Sequence, residues 1–351
     1  MRNRLIFLFI FLTAISCKKD MYSGITFEAP IFKDSVYTNP TLFSDTLLTN
    51  FAWGMASYKN YIILLAQIDD HMFHLYDKET GEKIKSFGKL GRGPQEILTV
   101  SAFSVNEQEE TLISYCYSEG IYIFHLDSVI NDKAHFMDKI NLDQYKRMIF
   151  YQAYKCHNGY FLYGRKMKDY QDGARFTLLS KQGKLVKTYN RYPINSYPTS
   201  DSINSCSDWI NLSLLHSMSP DGSKFAEATQ IGAIIETFYI KDKIEPHTLK
   251  GYYKPYFLKE KNKPVYTSKT QFGFYYLTST NNYLYALSFN GSNQNTYPLC
   301  EMQVFDWTGN PIKKYKTNKP LLNVCVDEER GKVYALSQSP MKEFCLISFN
   351  L

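Results

Sequence analysis

The sequence predicts an all-β fold: a six-bladed β-propeller with four-stranded blades, the last blade closed by an N-terminal strand. Three observations point there. Aromatic residues make up 16% of the 351-residue chain, with 29 Tyr, and sheets favour aromatic and β-branched side chains. Short alternating apolar runs, punctuated by Asn, Gly, Asp and Pro, recur in six similar units. The last unit is one strand short, and an unassigned strand precedes the first.

The first unit reads 51–57, 61–66, 71–77 and 83–87, with turns at Asp69-Asp70 and Glu79-Thr80-Gly81. The second reads 99–105, 111–117 and 121–127, with a weaker fourth strand at 136–140. The third reads 149–155, 159–165, 174–180 and 184–189, turning at Gln182-Gly183. The fourth has 212–217, the turn Ser219-Pro220-Asp221-Gly222, then 224–230, 233–240 and 247–251. The fifth has 272–278, 283–289, 301–307 and 312–315. The sixth stops after 321–326, 332–337 and 344–349. The orphan strand at 24–32 (GITFEAPIF) is expected to complete it, since a closed ring removes the open sheet edges that invite aggregation. Stretches 190–208 and 258–270 are rich in Asn, Ser, Pro and Lys and read as loops.

The N-terminus reads as an address and an anchor. Arg2 and Arg4 form a positive start, and residues 5–15 are nearly all apolar. That run is shorter than the roughly 20 residues a membrane span needs and has the length of a signal-peptide core. Ala14-Ile15-Ser16-Cys17 follows, and it resembles the lipobox of bacterial lipoproteins, with Ala14 where Leu is usual. The resemblance implies a lipoprotein signal peptide at 1–16, lipidation of Cys17, a tether at 17–23 and a single propeller domain at 24–351. It places the protein in a Gram-negative envelope, at the outer membrane by its lipid anchor. Several acyl chains on one Cys anchor stably, at about 0.8 kcal/mol per buried CH2.

Residues 86–97 (SFGKLGRGPQEI) resemble the link between the first two blades of the TolB-like six-bladed propeller lipoproteins. Phe87, Gly88, Gly91, Gly93, Pro94 and Glu96 match, and Ile97 replaces an aromatic. Ser219-Pro220-Asp221-Gly222 is similar to the turn of TolB-type blades. The resemblance implies fold and export, and no activity.

Several chemistries are argued against. Formal charge is +6, falling to about +4 once Arg2 and Arg4 leave, and the basic residues are dispersed. Nucleic-acid binding needs a dense basic stripe. His71 and His74, three apart on a strand, point to opposite faces and cannot share a metal. No C-x-x-C or Gly-x-Ser-x-Gly is present, which weakens zinc, redox and serine-hydrolase readings. The six cysteines beyond Cys17 leave their pairing open. Gly88, Gly91 and Gly93 with Arg92 could form an anion nest, but glycines at a tight inter-blade link explain them better.

The expected function is therefore a non-enzymatic binding or scaffold propeller, a monomer without cofactor or metal, holding an envelope protein, peptide or glycan. The candidate ligand-face loops are Asp69, Asp70 and His71; Gly91, Arg92, Gly93 and Glu96; and Asp169, Tyr170 and Asp172. The alternative is a carbohydrate-active hydrolase or lyase using two channel-facing carboxylates. A calcium-dependent lactonase-like site, needing converging oxygen ligands, is the weakest option.

Overall fold

The computed structural model describes residues 22, 24–47, 52–100, 102–116, 119–133, 135–145, 148–166, 175–193, 212, 214–260, 263–289, 300–339 and 343–351. They form six antiparallel four-stranded sheets set as blades around a channel. From the channel outward, blade 1 is Ala52–Tyr58, Tyr61–Ile68, His71–Asp77 and Lys83–Lys89. Blade 2 is Ala102–Asn106, Thr111–Cys116, Gly120–His125 and Met137–Ile140, with a short helix Leu126–Ile130 before its outer strand. Blade 3 is Met148–Cys156, Gly159–Lys166, Phe176–Ser180 and Leu185–Tyr189. Blade 4 is Leu214–Met218, Lys224–Thr229, Ile234–Ile240 and Ile244–Gly251. Blade 5 is Phe274–Ser279, Tyr283–Ser288, Glu301–Asp306 and Pro311–Thr317. Blade 6 has Asn323–Asp327, Lys332–Gln338 and Phe344–Asn350, completed by Thr41–Leu47.

The core lies between blades, not in one centre. In the second strand of blade 1, Ile62 and Leu64 face blade 6, whereas Ile63 and Leu65 face blade 2. Successive side chains alternate between faces, and here both faces are covered, so the strand reads as a continuous apolar run. The junction of blades 3 and 4 is aromatic: Phe161 and Phe225 lie 4.5 Å apart, and Phe176 meets Phe238 edge-on at 5.0 Å. Arg175 crosses this junction fully buried. It donates to Glu227 at 2.6 Å and Glu236 at 2.5 Å, with its guanidinium over the Phe176 ring.

Ring closure departs from the expectation in which strand is used. Thr41–Leu47 pairs antiparallel with Phe344–Asn350, not residues 24–32. Phe43 packs edge-on against Tyr334 at 5.0 Å, and its carbonyl lies where a Cβ on Gly81 would fall, at 1.9 Å. Asp34–Thr38 adds a parallel fifth strand to blade 5. Residues 24–32 contribute one bridge, Phe27 to Gly251. Pro30 lacks a donor, and two of the apolar side chains here are committed elsewhere: Ile25 is buried and Phe32 packs on Phe305. The supposed loop 258–270 also contains a hairpin, Leu258–Glu260 with Lys263–Val265.

Two faces follow from this topology. The innermost strands all begin on one face, here called lower, which also carries the turns between second and third strands and the links between blades. They end on the upper face, with the turns between first and second strands.

Candidate functional site at the channel mouth

The two sequence-selected loops of blade 1, at Asp69-Asp70-His71 and 91–96, fall on the lower face. Asp70 and His71 pair at 2.7 Å, and Lys89 lies 4.0 Å from Asp70 and 3.4 Å from Glu96, so the blade 1 turn and the blade 1–2 link form one cluster. The glycine nest there is filled by the chain itself: the Gly93 N–H donates to Glu96 at 2.8 Å, and a Cβ on Gly91 would strike that carboxylate. This bond and Lys89 hold the Glu96 carboxyl below its usual range. Arg92 sits in the same link, and Gly88 alone of the three glycines has a positive φ, of 68°. Asp169, Tyr170, Asp172, Cys17 and Cys206 lie outside the described residues.

The histidines are separated as the strand period requires. His74 is buried, with Nδ1 against Ser86 Oγ at 2.9 Å and Nε2 against the Ala66 carbonyl at 3.0 Å. Burial pushes it down to about 4. Among the described residues no group of His, Cys, Asp and Glu is arranged to hold a metal, and no disulfide joins Cys116, Cys156, Cys300, Cys325 and Cys345.

The concave site is elsewhere. A cavity of about 790 Å3 fills the channel, walled by the innermost strands of all six blades. Trp53, Phe103, Tyr154, His216 and Tyr276 supply aromatic surface, and Gln152, Ser217, Thr278 and Asn281 supply neutral hydrogen-bonding groups. At the upper rim the inner strands run into Lys59, Glu107, Pro220, Asn281 and Asp327-Glu328-Glu329. Enclosure between blades pushes His216 down to about 3, so its imidazole is neutral, and burial raises the Cys325 thiol to about 12.

A belt of polar links rigidifies this rim, one at each junction. Lys59 pairs with Glu110, and Lys155 with Glu109 at 2.7 Å. Asn158 donates to Asp242 at 2.6 Å, and the Asp221 N–H to Asn281 at 3.1 Å. Glu328 accepts from Thr280 at 2.6 Å, Asn282 at 2.7 Å and Tyr285 at 2.9 Å. Lys78, buried where the ring closes, donates to Asp327 at 2.6 Å, Ser57 at 2.7 Å and the Lys59 carbonyl at 2.6 Å.

These pairings decide what a ligand would meet. Lys78 neutralises Asp327, Lys59 is drawn to Glu110, and Glu328 is bound by hydroxyl and amide donors. Glu107 and Glu329 stay oriented to the cavity mouth. Partial desolvation at the channel mouth raises the carboxyl of Glu107, whose side chain still reaches solvent; Lys78 opposes this, and Glu329 and Asp327 raise it further. The upper mouth is thus acidic on a chain that is basic overall, with the aromatic surface deeper in the channel. Sequence reasoning missed these residues because they sit in short polar runs between strands, which read as ordinary solvated turns. The signal that could have found them is position: each lies at or just beyond the end of a unit's first strand.

Six four-stranded blades around a polar channel define a six-bladed β-propeller. The chain belongs to the TolB-like 6-blade propeller-like family, whose model matches residues 31–329. It is similar to a solved member of the DUF4221 family from Bacteroides vulgatus ATCC 8482, at 11% identity over 90% of this chain and 97% of that one, with a TM-score of 0.58. It is also similar to an exported protein from Bacteroides fragilis NCTC 9343, at 10% identity over 93% and 98%, with a TM-score of 0.54. At these identities the likeness is one of fold. No curated protein matches the chain in sequence. Among the described residues no helix is long and apolar enough to cross a membrane.

Proposed function

We propose that this is a lipid-anchored binding protein of the Gram-negative envelope. Cys17 holds it at the outer membrane, and the upper channel mouth takes the ligand: an exposed segment of an envelope protein, a peptide or a glycan. The cavity carries this reading. It is large, concave and walled by all six blades, and it combines aromatic faces with converging polar groups, which is the usual make-up of a ligand site. The lipobox-like Ala14-Ile15-Ser16-Cys17 supports the anchor.

The charge balance narrows the ligand. With Lys78 and Lys59 engaged and Glu107 and Glu329 facing the mouth, an anion would meet like charge. Neutral polyhydroxyl groups and amines fit, and aromatic rings offer cation–π or stacking surfaces. A thermal-shift screen of the mature chain against neutral, amine-bearing and anionic glycans and peptides tests this. Neutral or cationic ligands should stabilise it, with Glu107→Lys abolishing the shift and Glu96→Gln leaving it intact. Anionic hits, or hits indifferent to Glu107→Lys, would overturn the assignment.

One observation supports a second reading, glycan cleavage. Glu107 and Glu329 share one mouth, and the Glu107 carboxyl is raised, as a general acid requires. Glu107 would protonate the glycosidic oxygen while the Glu329 carboxylate directs water to the anomeric carbon. Release of reducing ends from a bound glycan, lost in Glu107→Gln, is its signature; binding without turnover leaves the binding reading alone.

A further inference from the structure

Tyr22 and the cavity mouth lie on opposite faces. Tyr22, the first described residue, is buried beside Leu212, Ile231 and Phe272. Leu212 precedes the inner strand of blade 4, Phe272 precedes that of blade 5, and Ile231 is in the turn after the second strand of blade 4. All three positions are on the lower face. Cys17 lies five positions before Tyr22, a reach of at most about 18 Å when extended. A lipid on Cys17 therefore draws the lower face against the bilayer.

That face carries the surface such a contact needs. The hairpin following blade 4 stands beside the Tyr22 cluster: Phe257 packs into it, and Tyr266 meets Phe272 edge-on at 5.4 Å. Its stem is fixed by Tyr253 N–H to Gly232 O at 2.8 Å and Gly232 N–H to Gln271 O at 3.0 Å. Tyr256, Leu258 and Tyr266 are nonetheless 39%, 47% and 43% exposed. Lys254 and Lys269 are exposed around them, with the Lys269 ammonium over the Tyr256 ring. The sequence from 254 to 269 holds five Lys against one Glu. Tyrosines and a Leu ringed by lysines suit the headgroup layer of an anionic leaflet, where rings sit among headgroups and ammonium groups meet phosphate.

We propose that the lower face around residues 254–269 is a membrane-contact surface, which seats the anchored propeller on an anionic phospholipid leaflet and turns the cavity mouth away from it. This rests on lipid anchoring at Cys17. The chosen occupant is the bilayer, because the tether ends there and the charge is complementary.

The test is photo-crosslinking in the envelope of a Gram-negative host, with p-benzoylphenylalanine at Tyr266 or, on the upper rim, at Asn281, and radiolabelled phospholipid. Tyr266 should capture lipid about tenfold more than Asn281. Equal capture, or capture favouring Asn281, overturns the orientation. Fatty-acid labelling of the wild type and of Cys17→Ala is read separately. If Cys17 takes no label, anchoring fails on its own, and the surface is judged by vesicle co-sedimentation of residues 18–351. With vesicles containing phosphatidylglycerol, Lys254→Gln/Lys269→Gln should weaken binding about 30-fold, at roughly fivefold per lysine. No binding, or binding indifferent to both changes, overturns the surface itself.

Discussion

Replacing Lys78 by Met should loosen the ring at its seam. Lys78 lies in blade 1 and Asp327 in blade 6, so their bond joins the first blade to the last. The Lys78 side chain is 2% exposed, and its ammonium is held by Asp327, Ser57 and the Lys59 carbonyl. Met fills the volume but strands the Asp327 carboxylate, 10% exposed, with Arg330 Nε at 3.5 Å as its remaining ion-pair partner. Breaking a buried pair from one side costs about 3–5 kcal/mol. At roughly 2.1 cal/mol/K per residue, a domain of ~330 residues loses about 1.4 °C for each kcal/mol, so Tm should fall by about 4–7 °C. Calorimetry of Lys78→Met measures this. Lys78→Met/Asp327→Leu should be more stable than Lys78→Met, because no charge is then stranded. A fall under about 1 °C, or losses that simply add in the double variant, would show that the seam does not depend on this pair.

Arg175→Met should cost about 3–5 kcal/mol near neutral pH, and its pH dependence has a defined sign. Burial already raises the Glu236 carboxyl, against the pull of Arg175, and losing Arg175 raises it further. A carboxyl raised on folding binds protons more tightly when folded, so stability falls as pH rises; urea melts should show a larger deficit at about pH 8 than at about pH 5. His74 works in the opposite direction. Its folded value of about 4 lies below the ordinary 6.5, so its contribution is present above 6.5 and is lost as pH falls toward 4, on the order of 3 kcal/mol. His74→Phe should shrink the acid loss seen in urea midpoints between those limits. Gly81→Ala and Gly331→Ala form a control pair for ring closure. Both glycines have positive φ, but a Cβ on Gly81 meets the Phe43 carbonyl at 1.9 Å and one on Gly331 meets nothing within 4 Å. Gly331→Ala should cost about 1 kcal/mol and Gly81→Ala at least about 2 kcal/mol more in chemical denaturation.

The blades were legible because their second strands, enclosed between neighbouring blades, must be apolar on both faces. Tyr61-Ile62-Ile63-Leu64-Leu65 is buried by blade 6 on one side and blade 2 on the other, so it announces itself. The closing strand was not legible. Thr41–Leu47 is an outer strand with Leu42 half in solvent, and it needs little beyond Phe43 to be held. The more apolar GITFEAPIF drew the assignment, although its side chains serve blades 4 and 5. The site was hidden for a different reason. Glu107, His216, Asn281 and Glu329 come from four blades, and only ring closure converges them. The histidines and glycines of blade 1 look conspicuous in the chain, yet His74 is a satisfied core residue and Gly91 makes room for Glu96.

Capture in intact envelope decides whether the upper channel mouth is the ligand site and faces away from the membrane. Photo-crosslinking residues in place of Asn282 on the upper rim and Tyr266 on the lower face would be irradiated in parallel and their products identified by mass spectrometry. The account predicts a discrete non-lipid species at Asn282, suppressed by Glu107→Lys, with phospholipid at Tyr266. A discrete protein or glycan at Tyr266, with only lipid or nothing at Asn282, would contradict it.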